Sequence, residues 1–253
     1  MIISVATQKG GAAKTTTAGI MCHVLSEDKK VLAIDMDPQG SLTDMLTHRD
    51  IYDFRGFTGF EAIKNQSTNE CIHKVNDNLD IITADDHLAL FPRWLYTKYA
   101  GNKSMALAQT IAGIKNNYDY IIIDTPPALG DHTINALAAS DYVLLMFGVG
   151  RQSYLALDRF LETLGHMQRM VKPELKLLGI LTSMLEPRRN DHKALLEMAI
   201  ETYGKVMFDA VITRRASTGR IDMIGFDNNV ELQNAIEQYK NFLLEMVNRV
   251  NGF

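Results

Sequence analysis

A lysine and a threonine side by side, Lys14 and Thr15, close the stretch KGGAAKTT at residues 9–16. These are the parts of an anion cradle. Gly10 and Gly11 supply backbone freedom, so that successive N–H groups can curl towards a phosphate. A helix opened by KTTTAG points its positive end at the same anion. In such a loop the lysine reaches the terminal phosphates and the following hydroxyl binds magnesium. The usual pattern is G-x-x-x-x-G-K-[ST], and here Gln8 and Ala13 stand at its two glycine positions. Alanine directly before the lysine costs about 1 kcal/mol if its φ must be positive. If φ is negative, alanine costs little and stiffens the loop.

Three carboxylates are spaced to meet that cradle. Asp124 ends the apolar run YDYIIID, and Asp35 and Asp37 flank Met36 at the end of KVLAIDM. In a parallel sheet, ligands lie beyond the carboxyl ends of the strands. Strand ends at 6, 35 and 124 should therefore share one crevice. A carboxylate such as Asp124 is suited to hold magnesium through water. Any one of the three could instead cap a turn, as Asp often does. Together with the loop they point to a nucleotide site.

The elements that must position these groups are legible as a pattern. Runs at 1–6, 30–36, 79–84, 118–124, 141–148 and 175–184 are short, β-branched and apolar on both faces, which marks a parallel sheet covered on both sides. Helical stretches are expected at 14–27, 41–47, 86–98, 103–116, 131–139, 152–171, 190–203 and 230–250. This alternation predicts an α/β fold in one domain, 1–253: a doubly wound, mostly parallel sheet with helices on both faces. Residues 48–78 read as an irregular insertion. Hydrophobic residues make up 46% of the 253, enough for a core of that size, and the net charge of -4 requires any basic surface to be local. The two cysteines, Cys22 and Cys71, fit no zinc or redox spacing. No leader pattern and no membrane-length apolar run is present, so a cytoplasmic location is expected.

On these residues a family resemblance is specific. KGGAAKTT resembles the deviant phosphate loop KGGxGKT[ST] of the ParA/MinD group of P-loop ATPases. DMDPQGS is similar to the DxDPQG segment of ParA-type DNA partition proteins, and IIIDTPPALG to their second carboxylate motif. VGRQSYLALDRF is a looser match. The likeness spans most of the chain and is weakest in 48–78 and the C-terminal third. It implies ATP and Mg2+ held by residues 9–16, that is Lys9, Gly10, Gly11, Ala12, Ala13, Lys14, Thr15 and Thr16. It implies that Lys9 reaches across an ATP-dependent homodimer to the partner's phosphates, adding positive charge where the transferring phosphoryl group is negative. It gives Lys14 the phosphates of its own subunit, Thr15 the metal directly and Asp124 the metal through water. Asp37 would position or activate the attacking water, and Asp35 would support the metal shell or the switch loop. The family has glycine where this chain has Ala13, so slow hydrolysis is expected.

The same resemblance implies non-specific DNA binding, nucleoid association and a ParB-like partner that stimulates hydrolysis. The charge pattern agrees. Residues 165–220 carry ten basic side chains against six acidic ones in a chain that is acidic overall. Such a patch can neutralise phosphates without reading bases. Arg188, Arg189, Lys193, Arg214, Arg215 and Arg220 are the candidates, and Arg214 is equally a candidate for the base pocket. A MinD-like membrane cycle is the alternative, along with an ATP-binding module whose hydrolysis is lost through Ala13. A membrane-seeking tail is rich in Lys and Arg. From 221 onward there are only Lys240 and Arg249 against five acidic residues, so the last helix is expected to pack on the core, with no membrane partner.

Overall fold

The computed structural model describes residues 1–218, 221, 225–226 and 230–252. The strands are β1 (Ile2–Ala6), β2 (Val31–Asp35), β3 (Ile72–Lys74), β4 (Leu79–Ile82), β5 (Tyr120–Asp124), β6 (Tyr142–Gly148), β7 (Lys176–Leu185) and β8 (Met207–Thr213). They form one sheet in the order β3-β4-β2-β5-β1-β6-β7-β8. Every neighbouring pair is parallel except β3 with β4. Strand order reverses at β1, with β5, β2 and β4 to one side and β6 to β8 to the other. The crevice beyond the carboxyl end of β1 is thus the switch point where such sheets bind ligands.

The helices are α1 (Lys14–Leu25), α2 (Ser41–Thr47), α3 (Gly59–Asn65), α4 (Phe91–Thr97), α5 (Ala106–Ile111), α6 (Asp131–Ala139), α7 (Arg151–Met170), α8 (Asn190–Tyr203) and α9 (Val230–Asn251). Side-chain alternation along the strands separates two apolar layers. Ile3 and Val5 of β1 pack with α1, α2 and α9 through Ile20, Met21, Leu42, Ile236 and Phe242. Ile2, with Ile34 and Ile123, packs on the other face against Phe91, Leu107 and Ala136 from α4, α5 and α6. The α7 side chains Leu157, Phe160 and Leu164 cover β6 on that second face.

Some elements differ from the sequence expectation. Residues 48–78, read as irregular, hold a 3-10 turn at Ile51–Phe54, helix α3 and the antiparallel edge strand β3. The turns and three-residue strand are too short to show a period. Strand β8 shows no strand pattern in the sequence because it is half-buried and interrupted by the exposed Asp209. The helix expected over 86–98 is a 3-10 turn followed by α4, whose first turn holds Pro92. Proline lacks the N–H that a helix interior needs, so α4 starts there.

β8 is an edge strand, and α9 covers it with side chains rather than with another strand. The Glu245 carboxylate accepts from the N–H groups of Asp209 and Ala210, each at 3.0 Å. Gln238 accepts from Thr213 N–H at 2.8 Å. Arg249 donates to the Val206 and Met207 carbonyls and to Glu245. The apolar face of α9, including Leu232, Ile236, Tyr239, Phe242, Leu243 and Met246, is buried as expected of a core-packed helix.

Candidate functional site

β1 delivers the loop at residues 7–13 directly into α1. Gly11 lies in the left-handed region with φ +79°, and so does Ala13, the residue before the helix, with φ +52° and ψ 32°. The alternative left open by the sequence is thereby resolved in favour of positive φ, where alanine is strained by about 1 kcal/mol. Gly10 and Gly11 are exposed, and a Cβ on either would meet open space. Gly11 is therefore there for conformation, not for packing, and both glycines leave room for close approach by a ligand.

An open cleft of about 260 Å³ sits on this loop, lined by Thr7, residues 9–16, Asp37 and Pro127. Lys9 is exposed at its mouth, and among the described residues its ammonium has no ion-pair partner. Lys14 is buried at 7% exposure, and its ammonium pairs with Asp124 Oδ1 at 2.8 Å. The Thr15 hydroxyl donates to the other oxygen, Oδ2, at 2.6 Å. Both oxygens of Asp124 are thus held by the two residues that open α1. Asp124 itself is fully buried. Burial raises its pKa from the ordinary carboxylate value, and the Lys14 charge opposes that rise.

In the sheet, Asp35 is directly opposite Asp124 and is equally buried. Its partners differ. Oδ1 accepts from Asp37 N–H at 3.0 Å, and Oδ2 accepts from both the N–H and the hydroxyl of Thr43 at 2.9 Å. Burial and then the Asp124 charge push Asp35 up to about 7, against those hydrogen bonds. Sequence reasoning placed Asp35 with the metal shell or the switch loop. The geometry is that of the loop: Asp35 ties the 36–43 turn to β2, and its oxygens do not meet Thr15 or Lys14. Asp37, half-buried, faces the cleft and accepts from Gln39 N–H at 3.0 Å.

The far wall of the loop comes from β6 and β7. Ala12 is buried, and its carbonyl accepts from the Ser183 hydroxyl at 2.8 Å. A Cβ on Gly148 would lie 2.8 Å from Ala12 Cα, so only glycine lets the loop pack there. Sequence reasoning missed Ser183, Gly148, Thr7 and Pro127. Gly148 carried a signal, since glycine at a strand end often marks close backbone approach. Ser183 carried none, being 171 residues from its partner.

The basic candidates lie apart from the cleft but at the same end of the sheet. Arg188 and Arg189 follow β7, Lys193 lies in the first turn of α8, and Arg214 and Arg215 follow β8; all are exposed. Arg189 pairs with Asp191 at 2.6 Å and Arg214 with Glu186 at 3.2 Å. Arg214 does not line the cleft. Arg220 lies outside the described residues.

The donor set suits Mg2+, which takes one or two carboxylates together with hydroxyl, water and phosphate oxygens. Thr15 and Asp124 supply a hydroxyl and a carboxylate side by side at the start of α1, and Lys14 and the loop N–H groups supply the charge complement for phosphates.

Comparison with known proteins agrees with this geometry. A family described as an AAA domain matches residues 1–177. The chromosome partitioning protein ParA of Myxococcus xanthus is 30% identical over 88% of this chain and 79% of its own length. A putative plasmid partition protein from Borrelia burgdorferi, solved with AMPPNP, shares the fold at TM-score 0.81 and 28% identity, covering 98% of both chains. Cobyrinic acid a,c-diamide synthase from Mycobacterium smegmatis, solved with ADP and magnesium, superposes at TM-score 0.82 and 26% identity over 99% of this chain and 95% of its own.

Proposed function

The chain belongs to the AAA-domain family and is a ParA-type P-loop ATPase, and from that premise we propose that it is a DNA-partition ATPase driven by Mg-ATP. The observation that carries this reading is the Lys14–Asp124–Thr15 constellation beneath a loop strained open towards the cleft. ATP binding requires Lys14 to exchange Asp124 for phosphate oxygens. Thr15 and Asp124 would hold the metal, which when bound draws negative charge off the phosphates. Asp37, on the turn fixed by Asp35, is placed to orient the attacking water. Asp35 acts as a positioning residue for that turn.

Lys9 supports the dimer reading. It is exposed at the rim, and among the described residues its ammonium has no ion-pair partner, as suits a residue reaching into a second subunit's site. The exposed cations after β7 and β8 lie at the same end of the sheet as the cleft, so an ATP-closed homodimer would present them together to DNA. A ParB-like partner would then stimulate hydrolysis and release. ATP would drive DNA binding, and nucleoid association would follow from it. The buried apolar face of α9 disfavours the membrane-cycling alternative.

Sedimentation with random-sequence DNA and with anionic vesicles, each with and without Mg-ATP, tests this reading. ATP-dependent DNA binding is expected, weakened roughly tenfold and made less salt-dependent by reversing the charge of Arg188 and Arg189. Vesicle binding without DNA binding would replace this reading with the membrane one. Phosphate release at blank level with both DNA and a ParB-like partner present, despite tight ATP binding, would identify a module that has lost hydrolysis.

A further inference from the structure

We infer that Ser183 is a positioning residue of the nucleotide site, whose hydroxyl holds the Ala12 carbonyl and so aims the Ala13 N–H into the cleft. This rests on the nucleotide reading above. Ser183 is fully buried on β7, and its hydroxyl donates to the Ala12 carbonyl at 2.8 Å. Its own carbonyl accepts from Val149 N–H at 3.0 Å, which anchors it to the end of β6. Gly148, in β6, backs Ala12 so closely that a Cβ would collide with its Cα. Ala12 is therefore wedged against two strands.

The peptide joining Ala12 to Ala13 is planar and trans, so its C=O and N–H point in opposite directions. A carbonyl turned in towards β7 leaves the N–H of Ala13 turned out, towards the cleft that both residues line. No acceptor among the described residues takes that N–H. An unpaired donor at a helix start, facing a cleft, is what a phosphate oxygen requires.

The bond also opposes a specific motion. Rotating this peptide by half a turn changes ψ of Ala12 and φ of Ala13 together. It would carry Ala13 from φ +52° to negative φ, out of the left-handed region that strains its Cβ. The residue's own preference thus favours turning the N–H away from the cleft, and Ser183 holds it in place. A glycine at 13 has no such preference, so the loop would need Ser183 less. The family's usual glycine and this chain's alanine therefore predict different dependence on the same hydroxyl.

A double-mutant cycle on the full chain tests this. Affinities for Mg-ATP and for inorganic tripolyphosphate are measured in the starting protein, Ser183→Ala, Ala13→Gly and the double variant, with thermal melts alongside. Ser183→Ala should weaken both ligands about tenfold, since the Ala13 N–H, no longer held outward, would lose its hydrogen bond to a charged phosphate oxygen. In the Ala13→Gly background the same change should cost about threefold or less. Equal losses in the two backgrounds, or a lower melting temperature with unaltered affinities, would overturn the inference and leave Ser183 a packing residue. If Ser183→Ala does not fold, Gly148→Ala presses on Ala12 from the neighbouring strand. It should weaken tripolyphosphate binding, and unaltered affinity would again overturn the inference. Failure of the starting protein to bind either ligand would instead sink the nucleotide reading itself.

Discussion

The two sides of the sheet use polar side chains in opposite ways. Around β1, β2 and β5, they are aimed at a cleft. Lys14 is buried against Asp124, Thr15 shares the same carboxylate, and Ala13 is held at positive φ. At the β8 edge, Glu245, Gln238 and Arg249 are spent on backbone groups of the outermost strand. The first region keeps charges and strain that a purely structural core would avoid. The second satisfies an exposed strand edge that would otherwise invite pairing with another chain. The β8 edge should therefore be open to weakening without loss of the site, and the family match covers residues 1–177, which include the first region and stop short of the second.

The largest effect should come from Lys14→Ala. It removes the cation proposed to bind the phosphates and leaves the buried Asp124 without its ion-pair partner. Hydrolysis should fall at least about 100-fold, as when a preorganised charge partner of the transition state is lost. Because breaking a buried pair strands a charge, stability should drop as well, by about 3 kcal/mol in nucleotide-free protein. Phosphate release and thermal melts measure the two losses. A variant that hydrolyses ATP normally would erase the distinction between the regions. Glu245→Ala is the mirror experiment. Two N–H groups of β8 lose their acceptor and Arg249 loses its partner, costing about 1–2 kcal/mol because water can replace part of the loss. ATP affinity should stay within about twofold. A larger change would mean that the β8 edge and the cleft are coupled and not separable.

The same contrast explains what the sequence revealed. Lys14, Asp35, Asp37 and Asp124 are legible because each follows a strand that is apolar on both faces, so strand ends can be located and their order inferred. β8 mixes Asp209 with apolar neighbours, and its covering partners lie 25 to 36 residues later on α9. No local period records that contact. The short elements within 48–78 are invisible for a related reason: β3 is three residues long and is defined by pairing with β4, not by its own composition. Within the site, Ser183 carries no sequence signal, because it bonds a backbone carbonyl 171 residues away. Asp35, read from the sequence as supporting the metal shell or the switch loop, accepts from Asp37 and Thr43 on that loop.

Ala13→Gly should have the smallest effect, and it bears most directly on how the cleft side is built. Glycine at φ +52° removes a strain of about 1 kcal/mol, but it also frees the unfolded chain, which returns about 0.4–1 kcal/mol. The net gain should be a few tenths of a kcal/mol, a rise in melting temperature of about 1–2 °C for a chain of this size. If the melting temperature falls instead, alanine's stiffening outweighs its strain. The loop would then be a rigid seat built into the ground state, not a strained one held by Ser183. A rise together with reduced dependence on Ser183 would show that the strain is real and that β7 holds it. The alanine would then be tolerated because the strand behind it fixes the one peptide that its backbone preference would turn away.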